Sequence, residues 1–463
     1  MSGFLEAQGP SSVSHWIASN RGPGSLHNHG KEDSLPETAD IVIVGAGISG
    51  ALLAYYLANP EERYGDVPKG RTIVVLEGAE VASGATGRNG GHFAPATFMS
   101  YPNLIRSRAD GGAGVSKREA VRILRNEWDN YERNTAVIKL HNLQDKVELW
   151  QGRVMTVYGS EDELRDALET HRQWEEALAE EGLSDWSGNK FYTDTHEVLK
   201  FTTELLKLAI ASERDHISLF TGTPVIDVSE TQASSGQDVR TNRGTIRAKQ
   251  IILCTNAHTP HLFPEDHPLK TFIFPSRQQM GLVTPTTSFA GTRALQTTYG
   301  FPKGYCATTS GGIVVGLGER VYVSEGCGSA EDFIGNSDDT TVLPGCTEYL
   351  ESFMASTMIG WGEQALGEGL TRTWTGVKGH TIDRLPLVGP VPDRKGLFLS
   401  AGFNGHGMST THTCARALTQ LVLNGTWDQD FPEAYILSPP RLERQLPEGG
   451  YVRLITGAHE PAA

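Results

Sequence analysis

The chain lacks the features that membrane and nucleic-acid proteins need. No stretch approaches the ~18 uninterrupted apolar residues of a membrane span, and there is no excess of positive charge. Its 40 basic residues are outnumbered by 55 acidic ones, which gives a formal net charge of −15. That sign repels a phosphate backbone. We therefore expect a soluble protein with neither a membrane nor a nucleic acid as its partner.

Cysteine is also scarce, at five of 463 residues, and no two cysteines have the spacing of a CxxC motif. A disulfide framework and a zinc site are therefore not predicted. The nearby His258, His261 and His267 match no zinc template, so no metal site is expected. The scarcity of cysteine and the lack of a secretory leader favour a reducing, cytoplasmic setting. The cysteines are Cys254, Cys306, Cys327, Cys346 and Cys414.

The length predicts two domains, each with its own core. Residues up to about Thr38 are rich in Ser, Gly, Pro, Asn and His, with Trp16 as a large anchor, and are interpreted as a loose arm. A β-branched run then precedes a glycine turn, a helix and a second buried strand, which together predict one βαβ unit. These three elements lie over residues 41–44, 51–58 and 72–76.

The rest of the chain alternates helical and strand-rich stretches, with no fixed-period repeat. The final helix is expected to begin near Met408. The pattern predicts helix over about residues 116–183, short strands over 217–254, strands over 269–323, a helix over 347–358, and a strand region followed by that final helix over 370–425.

The glycine turn has the form GxGxxG, with glycines at positions 45, 47 and 50. Taken alone the motif is weak, but here it directly follows a buried strand and opens a helix. Gly45 would permit the tight turn, Gly47 the approach of a pyrophosphate, and Gly50 close contact between helix and strand. The segment therefore predicts a dinucleotide site.

Two further features belong to this site. Ile48 and Ser49 lie where the turn opens into the helix, whose unpaired N–H groups and dipole would favour phosphate. The second strand ends at Glu77, an acid suited to ribose hydroxyls and unsuited to a 2′-phosphate. The motif does not separate FAD from NAD. A small-residue loop over residues 81–92 could lie against a flat ring system or be an ordinary surface loop.

Four segments, in this order, resemble the D-amino-acid-oxidase type of FAD-dependent oxidoreductases. They are the GxGxxG fingerprint, SGATGRNGGH over residues 83–92, IILCTNAHTPHLFP over 251–264, and WTGVKGHTIDRLPLVGPVP with GLFLSAGFNGHGM over 374–408. The GRNGGH form resembles the γ-glutamylputrescine-oxidase-like branch in particular. The resemblance implies FAD as the cofactor and covers most of residues 40–425.

The resemblance also assigns regions of the flavin to regions of the chain. Residues 86–92 would run under the isoalloxazine, residues 402–408 would meet its pyrimidine end, and the backbone of Val225 would meet adenine. The implied cofactor-binding residues are Gly45, Gly47, Ile48, Ser49, Gly50, Glu77, Thr86, Arg88, Asn89, Gly90, Gly91, His92, Val225, Gly402, Asn404, Gly405, His406, Gly407 and Met408.

Four positions bear on the chemistry. Lys378 stands where related oxidases carry an arginine for a substrate carboxylate, and His406 is a second catalytic candidate. Val314 stands where some oxidases carry a lysine that promotes reaction with oxygen. Gly376 replaces the cysteine that links flavin covalently in the sarcosine-oxidase branch, so FAD is expected to be non-covalent.

The expected fold is α/β, with a Rossmann-like FAD domain and a second mixed, mostly antiparallel β-sheet substrate domain. We expect an N-terminal arm over residues 1–39, an FAD domain from residues 40–107, 197–264 and 370–427, a substrate domain from 108–196 and 265–369, and a C-terminal extension over 428–463.

The expected function is oxidation of a C–N bond in a small amine or amino acid to an imine, by hydride transfer to flavin with oxygen as acceptor. Two alternatives stay open. One is a flavin dehydrogenase or a natural-product tailoring oxidase that acts on a bulkier metabolite. The other is a flavin-binding protein without turnover.

Overall fold

A computed structural model of the chain describes residues 12–186, 192–195, 197–230 and 236–456. The strands are β1 (Thr38–Val44), β2 (Thr72–Leu76), β3 (His92–Phe93), β4 (Trp150–Thr156), β5 (Tyr192–Thr195), β6 (His216–Phe220), β7 (Val225–Glu230), β8 (Gln237–Thr241), β9 (Gly244–Leu253), β10 (Ile273–Thr284), β11 (Thr298–Phe301), β12 (Gly304–Thr309), β13 (Gly312–Gly316), β14 (Gly369–Thr381), β15 (Leu387–Pro390) and β16 (Leu397–Ala401).

Helices connect and cover these strands. They are α1 (His15–Ser19), α2 (Ile48–Ala58), α3 (Tyr101–Ile105), α4 (Lys117–Leu140), α5 (Glu161–Glu180), α6 (Val198–Ile210), α7 (Leu269–Phe272), α8 (Glu319–Ser324), α9 (Ala330–Phe333), α10 (Pro344–Thr357), α11 (Thr411–Asn424), α12 (Pro439–Leu442) and α13 (Gly450–Thr456).

The first sheet has the strand order β15-β16-β9-β1-β2-β6, with β7 and β8 joined through β9. All neighbours from β16 to β6 are parallel, whereas β15 pairs antiparallel with β16. The central strand β1 is buried on both faces, which explains its unbroken β-branched run. Every residue of α2 is buried, because it packs between this sheet and the helices α6 and α11.

The second sheet has the order β14-β10-β13-β12-β11-β4-β5-β3. Its pairs are antiparallel except for the parallel pair of β11 and β4. The two sheets confirm the predicted α/β class with a mixed, mostly antiparallel second sheet.

The domain boundary expected near residue 370 does not coincide with the division of the strands between the two sheets. Strand β14 pairs with β10 over its whole length and therefore belongs to the second sheet, as does the short β3. The stretch predicted as helical over residues 116–183 consists of α4 and α5 separated by β4. The last helix starts at Thr411, after a 3₁₀ turn at Gly407–Ser409, rather than near Met408.

The N-terminal arm differs from the loose segment that its composition suggested. From Ser12 onward it is docked on the molecule, and Trp16 is only 2% exposed. Ile17 and Leu26 are also buried in the main core. Burying these three apolar side chains offsets the entropy lost by ordering a polar segment. Within the described ranges, no helix combines the length and hydrophobicity required to span a membrane.

Candidate functional site

The fingerprint loop joins the end of β1 to the start of α2. Gly45 has φ +105°, and a Cβ there would lie 2.7 Å from the carbonyl oxygen of Cys254 on the neighbouring chain segment. A Cβ on Gly50 would lie 2.0 Å from the carbonyl oxygen of Gly45. Both glycines are therefore required by backbone packing alone.

Gly47 is different, because the space next to it is open. A Cβ there would contact only the hydroxyl of Thr86, at 3.1 Å. That hydroxyl accepts the N–H of Ile48 at 3.1 Å, while the N–H groups of Ser49 and Gly50 find no acceptor among the residues that the structure describes. Unpaired donors beside open space at a helix N-terminus fit a pyrophosphate.

Glu77 lies directly beside this loop at the end of β2. Its carboxylate accepts the N–H of Ala46 at 2.8 Å and that of Ala79 at 2.9 Å. Burial raises the pKa of the Glu77 carboxyl, although these backbone donors favour its charged form. By contrast, the Ser49 hydroxyl is turned into the core, 3.0 Å from the hydroxyl of Ser400, so its side chain does not face the open space.

The second loop, residues 86–92, is held in shape by hydrogen bonds from the side chain of its own residue Asn89. Asn89 accepts the N–H of Gly91 at 2.8 Å and donates to the Thr86 carbonyl at 2.7 Å. A Cβ on Gly90 would lie 2.5 Å from the Tyr305 hydroxyl of β12. The loop therefore presses against the second sheet, between the two halves of the molecule.

Arg88 ties this loop to distant parts of the chain. Its buried guanidinium donates to the carbonyl oxygens of Ser83 at 2.6 Å, Ser12 at 2.7 Å and Thr375 at 2.9 Å. It also pairs with Asp339 at 3.3 Å. All of these partners are protein groups, so the Arg88 side chain holds the loop in place. A Cβ on Gly376 would lie 2.8 Å from the Cβ of Arg88, which leaves no room for a side chain there.

The arm closes over the other side of the loop. Trp16 donates its indole N–H to the Asn89 carbonyl at 2.8 Å, and Ser14 donates its hydroxyl to the Gly87 carbonyl at 2.5 Å. Gly91 has φ +76°, and a Cβ there would come within 2.3 Å of the Trp16 ring. The glycine is needed both for its backbone conformation and for the indole.

The third loop, residues 402–408, follows β16. Asn404 accepts the N–H of Thr381 at 3.0 Å, and Asn256 accepts that of Gly402 at 3.1 Å. The N–H groups of Gly405, Gly407 and Met408 have no acceptor within the described part of the chain. These donors leave the loop able to bind a polar ring edge.

His406 on this loop meets an acid from α4. Its Nε2 is 3.1 Å from Oε2 of Glu127, which is buried, whereas the His406 side chain is 41% exposed. Although desolvation lowers the pKa of His406, Glu127 more than compensates and raises it above its ordinary value. The pair therefore favours an imidazolium on the loop.

Helix α11 follows this loop, and part of its N-terminus is already used within the protein. The side chain of Asn130 accepts the N–H groups of His412 at 2.7 Å and Thr413 at 3.3 Å. The N–H of Thr411 has no acceptor among the described residues.

His92, the last residue of the second loop, contacts Tyr305 of β12. Their rings contact edge to face, with centroids 4.9 Å apart. Burial lowers the pKa of His92 to about 4, with His406 as a secondary cause. His92 is therefore neutral at physiological pH, and its Nδ1 finds no partner among the described residues. An orphaned polar atom at this place fits a bound ligand.

Lys378 on β14 already has a protein partner. Its Nζ lies 2.5 Å from Oε1 of Glu319. Val225 begins β7, on the sheet that carries the fingerprint, where the resemblance placed the adenine contact. Val314 is fully buried in the core. Among the described residues, no group of three or more potential ligands is placed to hold a metal ion.

Sequence reasoning missed the supporting residues Trp16, Glu127, Asn256 and Glu319. Trp16 carried a signal, as a large aromatic in a polar segment. The two acids carried none, because their partners are distant in the chain.

Comparisons with known proteins agree with this arrangement. The family described as FAD dependent oxidoreductase matches residues 40–421. The chain is 24% identical to gamma-glutamylputrescine oxidoreductase of Escherichia coli, over 86% of this chain and 87% of that protein. It is 25% identical to glycine oxidase of Geobacillus kaustophilus, over 89% and 98% respectively.

The fold matches solved structures over most of their length. The crystal structure of that glycine oxidase aligns with a TM-score of 0.62 at 18% identity, covering 87% of this chain and 99% of the other. L-proline dehydrogenase from P. horikoshii aligns with a TM-score of 0.60 at 18% identity, covering 87% and 97%. At these identities the likeness concerns the fold alone.

Proposed function

Because this chain belongs to the family of FAD-dependent oxidoreductases, we propose that it oxidises the C–N bond of a small amine or amino acid to an imine. The main support is the contact of the second loop with the first through Thr86 and Ile48, together with the His92–Tyr305 contact on the second loop and the His406–Glu127 pair on the third. The curated relatives named above, which act on γ-glutamylputrescine and glycine, support this class of substrate.

The three loops supply the groups that would hold FAD. The donors at the start of α2 would bind the pyrophosphate, Glu77 the ribose, and the backbone at Val225 the adenine. Residues 86–92 and 402–408 would hold the isoalloxazine. The closed position of Gly376 against Arg88 supports a non-covalent cofactor.

When bound, FAD supplies the acceptor for the hydride that leaves the substrate carbon. The substrate nitrogen would give up a proton, water would hydrolyse the resulting imine to a carbonyl compound, and oxygen would take up the two electrons and two protons as hydrogen peroxide. The open N–H groups of Gly405, Gly407 and Met408 would stabilise negative charge at the third loop, and Glu127 would hold the His406 ring in place beside them. Neutral His92 and the Tyr305 hydroxyl would orient the amine.

One buried position bears on the electron acceptor. Val314 is fully buried and has no charge to offer where related oxidases carry a lysine. This observation favours a second candidate, a flavin dehydrogenase or a tailoring oxidase on a bulkier metabolite. The two candidates differ in how fast air reoxidises the reduced flavin.

An anaerobic screen tests the proposal. The purified yellow protein is mixed without oxygen with amines, amino acids and N-methyl amino acids, and loss of the flavin absorbance is followed. Bleaching by one of these classes supports C–N oxidation, and slow reoxidation in air identifies a dehydrogenase. Failure of every class to bleach the flavin would favour a binding protein without turnover. Flavin that stays with acid-denatured protein would contradict non-covalent binding.

A further inference from the structure

The Lys378–Glu319 pair narrows the substrate class. Both side chains are largely buried, with exposures of 20% for Lys378 and 6% for Glu319. The hydroxyl of Ser276 donates to the same Glu319 oxygen at 2.5 Å, and the imidazole of His380 lies 3.8 Å from it. Ser276 and His380 thus help to hold the Glu319 carboxylate in place beside Lys378.

The pair is ionic rather than neutral. Burial alone would raise the pKa of Glu319, but Lys378 and His380 hold it well below its usual range. A charged carboxylate beside a charged ammonium has no net charge to offer an approaching anion. A substrate carboxylate placed on Lys378 would also lie next to the like charge of Glu319.

The pair nevertheless faces the proposed reaction site. A Cβ on Gly405 would lie 2.9 Å from the Cδ of Lys378, so the lysine stem packs directly against the third loop. The other cations around the loops are similarly compensated, since His406 pairs with Glu127 and Arg88 with Asp339. His92 is neutral. Arg88, Lys378 and His406, the cations that these loops carry or contact, therefore each have an acid partner within the protein.

We propose that the substrate carries no carboxylate on its reacting carbon, and that the enzyme is an amine oxidoreductase rather than an α-amino-acid oxidase. This inference rests on the proposed function. The resemblance implied that Lys378 pairs with a substrate carboxylate. In this protein Glu319 already neutralises Lys378, so the lysine is not available for that role.

Matched substrates test the inference on the unaltered holoenzyme. Each pair differs only in the α-carboxylate: putrescine and ornithine, phenethylamine and phenylalanine, ethylamine and alanine, with both enantiomers of each amino acid. Anaerobic flavin reduction is measured at equal concentrations. We expect the amine of at least one pair to reduce the flavin about tenfold faster or more than its amino acid.

The outcomes separate this inference from the proposed function. If amino acids reduce the flavin as fast as the amines or faster, C–N oxidation stands and the inference is wrong. If no compound in these pairs or in the wider screen reduces the flavin, the proposed function itself fails, and the inference fails with it.

A second experiment probes the pair directly, with benzoate as the carboxylate and flavin absorbance as the signal of binding. Glu319→Gln removes the internal anion, and we expect benzoate to bind about tenfold more tightly or better than to the unaltered protein. Adding Lys378→Met to this variant should abolish the gain. Tight binding of benzoate by the unaltered protein that is lost in Lys378→Met would overturn the inference.

A matched control lies directly after the same helix. Glu325, the residue that follows α8, pairs with Lys303 at 2.8 Å. Glu325→Gln should leave benzoate binding unchanged. Should Glu319→Gln fail to retain FAD, the comparison of matched substrates on the unaltered enzyme still decides the inference.

Discussion

The two glycine loops of the first half of the chain are built in opposite ways. Residues 45–50 are fixed by their own strand and helix and by Cys254 on the adjacent strand end. Residues 86–92 are fixed by the N-terminal arm and by strands of the second sheet, through Trp16, Arg88 and Tyr305. A ligand-binding loop can thus be held rigid by its own backbone geometry or by contacts with distant parts of the chain. Only the first kind of loop can be recognised from a short sequence motif.

The first loop gives the largest expected effect. Gly47→Val should leave a folded protein without FAD, because the added methyl groups would fill the open space that the pyrophosphate needs. Gly50→Val should instead prevent folding, since its Cβ would lie 2.0 Å from the Gly45 carbonyl oxygen. The ratio of flavin to protein absorbance, together with thermal unfolding, distinguishes the two. Full flavin content in a folded Gly47→Val protein would contradict the cofactor placement.

Substitution of Trp16, about 70 positions earlier in the chain, should disturb the second loop. Trp16→Ala should cost about 3–5 kcal/mol of the free energy of unfolding, the usual range for a buried Trp→Ala change, and should weaken FAD retention. Trp16→Phe keeps most of the packing and loses the bond to Asn89, so about 1 kcal/mol is expected. Denaturant unfolding and visible circular dichroism of the flavin measure both. Unchanged flavin spectra in Trp16→Ala would show that the arm does not hold the second loop in its flavin-binding conformation.

Arg88 provides a smaller test of the same loop. Arg88→Met should cost about 1–3 kcal/mol, because it leaves the Ser83 carbonyl oxygen without a donor and the buried Thr375 carbonyl oxygen with only the 3.4 Å bond from Ser12. A suitable control is Arg247→Met, whose exposed pair with Asp238 at 3.6 Å should contribute almost nothing. Equal losses in the two variants, measured by urea unfolding, would show that Arg88 does not anchor the loop.

The smallest effect concerns the third loop and is a pH dependence. The folded-state pKa of His406 is raised above its ordinary value of 6.5 by Glu127. The stabilisation is therefore fully present below pH 6.5 and is lost as the pH rises through the raised value. Glu127→Gln should lower that pKa while its amide oxygen still accepts the Ala96 N–H.

Histidine NMR signals followed across this pH range measure the change. Glu175→Gln, next to His171 on the surface of α5, is the control and should leave the His406 titration in place. An unchanged His406 pKa in Glu127→Gln would mean that the pair does not set the charge of the loop.

The elements that sequence reasoning predicted well are those with local causes. The strand expected over residues 72–76 is β2 with the same bounds, and the fingerprint helix begins at Ile48. The order of four resembling segments indicated the α/β class and FAD. A β-branched run that stays buried on both faces leaves few alternatives to a central parallel strand.

The features that sequence reasoning missed depend on contacts between distant segments. Lys378 could be assigned to a substrate because nothing in the sequence shows that Glu319, 59 positions earlier, reaches it. Strand β14 was placed with the wrong sheet because its pairing with β10 leaves no local signal. The polar composition of the arm gave no indication that it docks on the molecule, because most of its buried surface comes from Trp16, Ile17 and Leu26 alone.

The docking of the arm also has a consequence for biosynthesis. Ser12 accepts the N–H of Thr375, 363 positions later in the chain. The ribosome therefore makes the arm first, but the arm cannot reach its final place until almost the whole polypeptide has emerged. Contacts of such wide sequence separation form slowly, and incomplete chains expose surface that promotes aggregation. Until the segment around Thr375 has emerged, Ser12 lacks this partner, so a chaperone that covers the arm would protect the nascent chain.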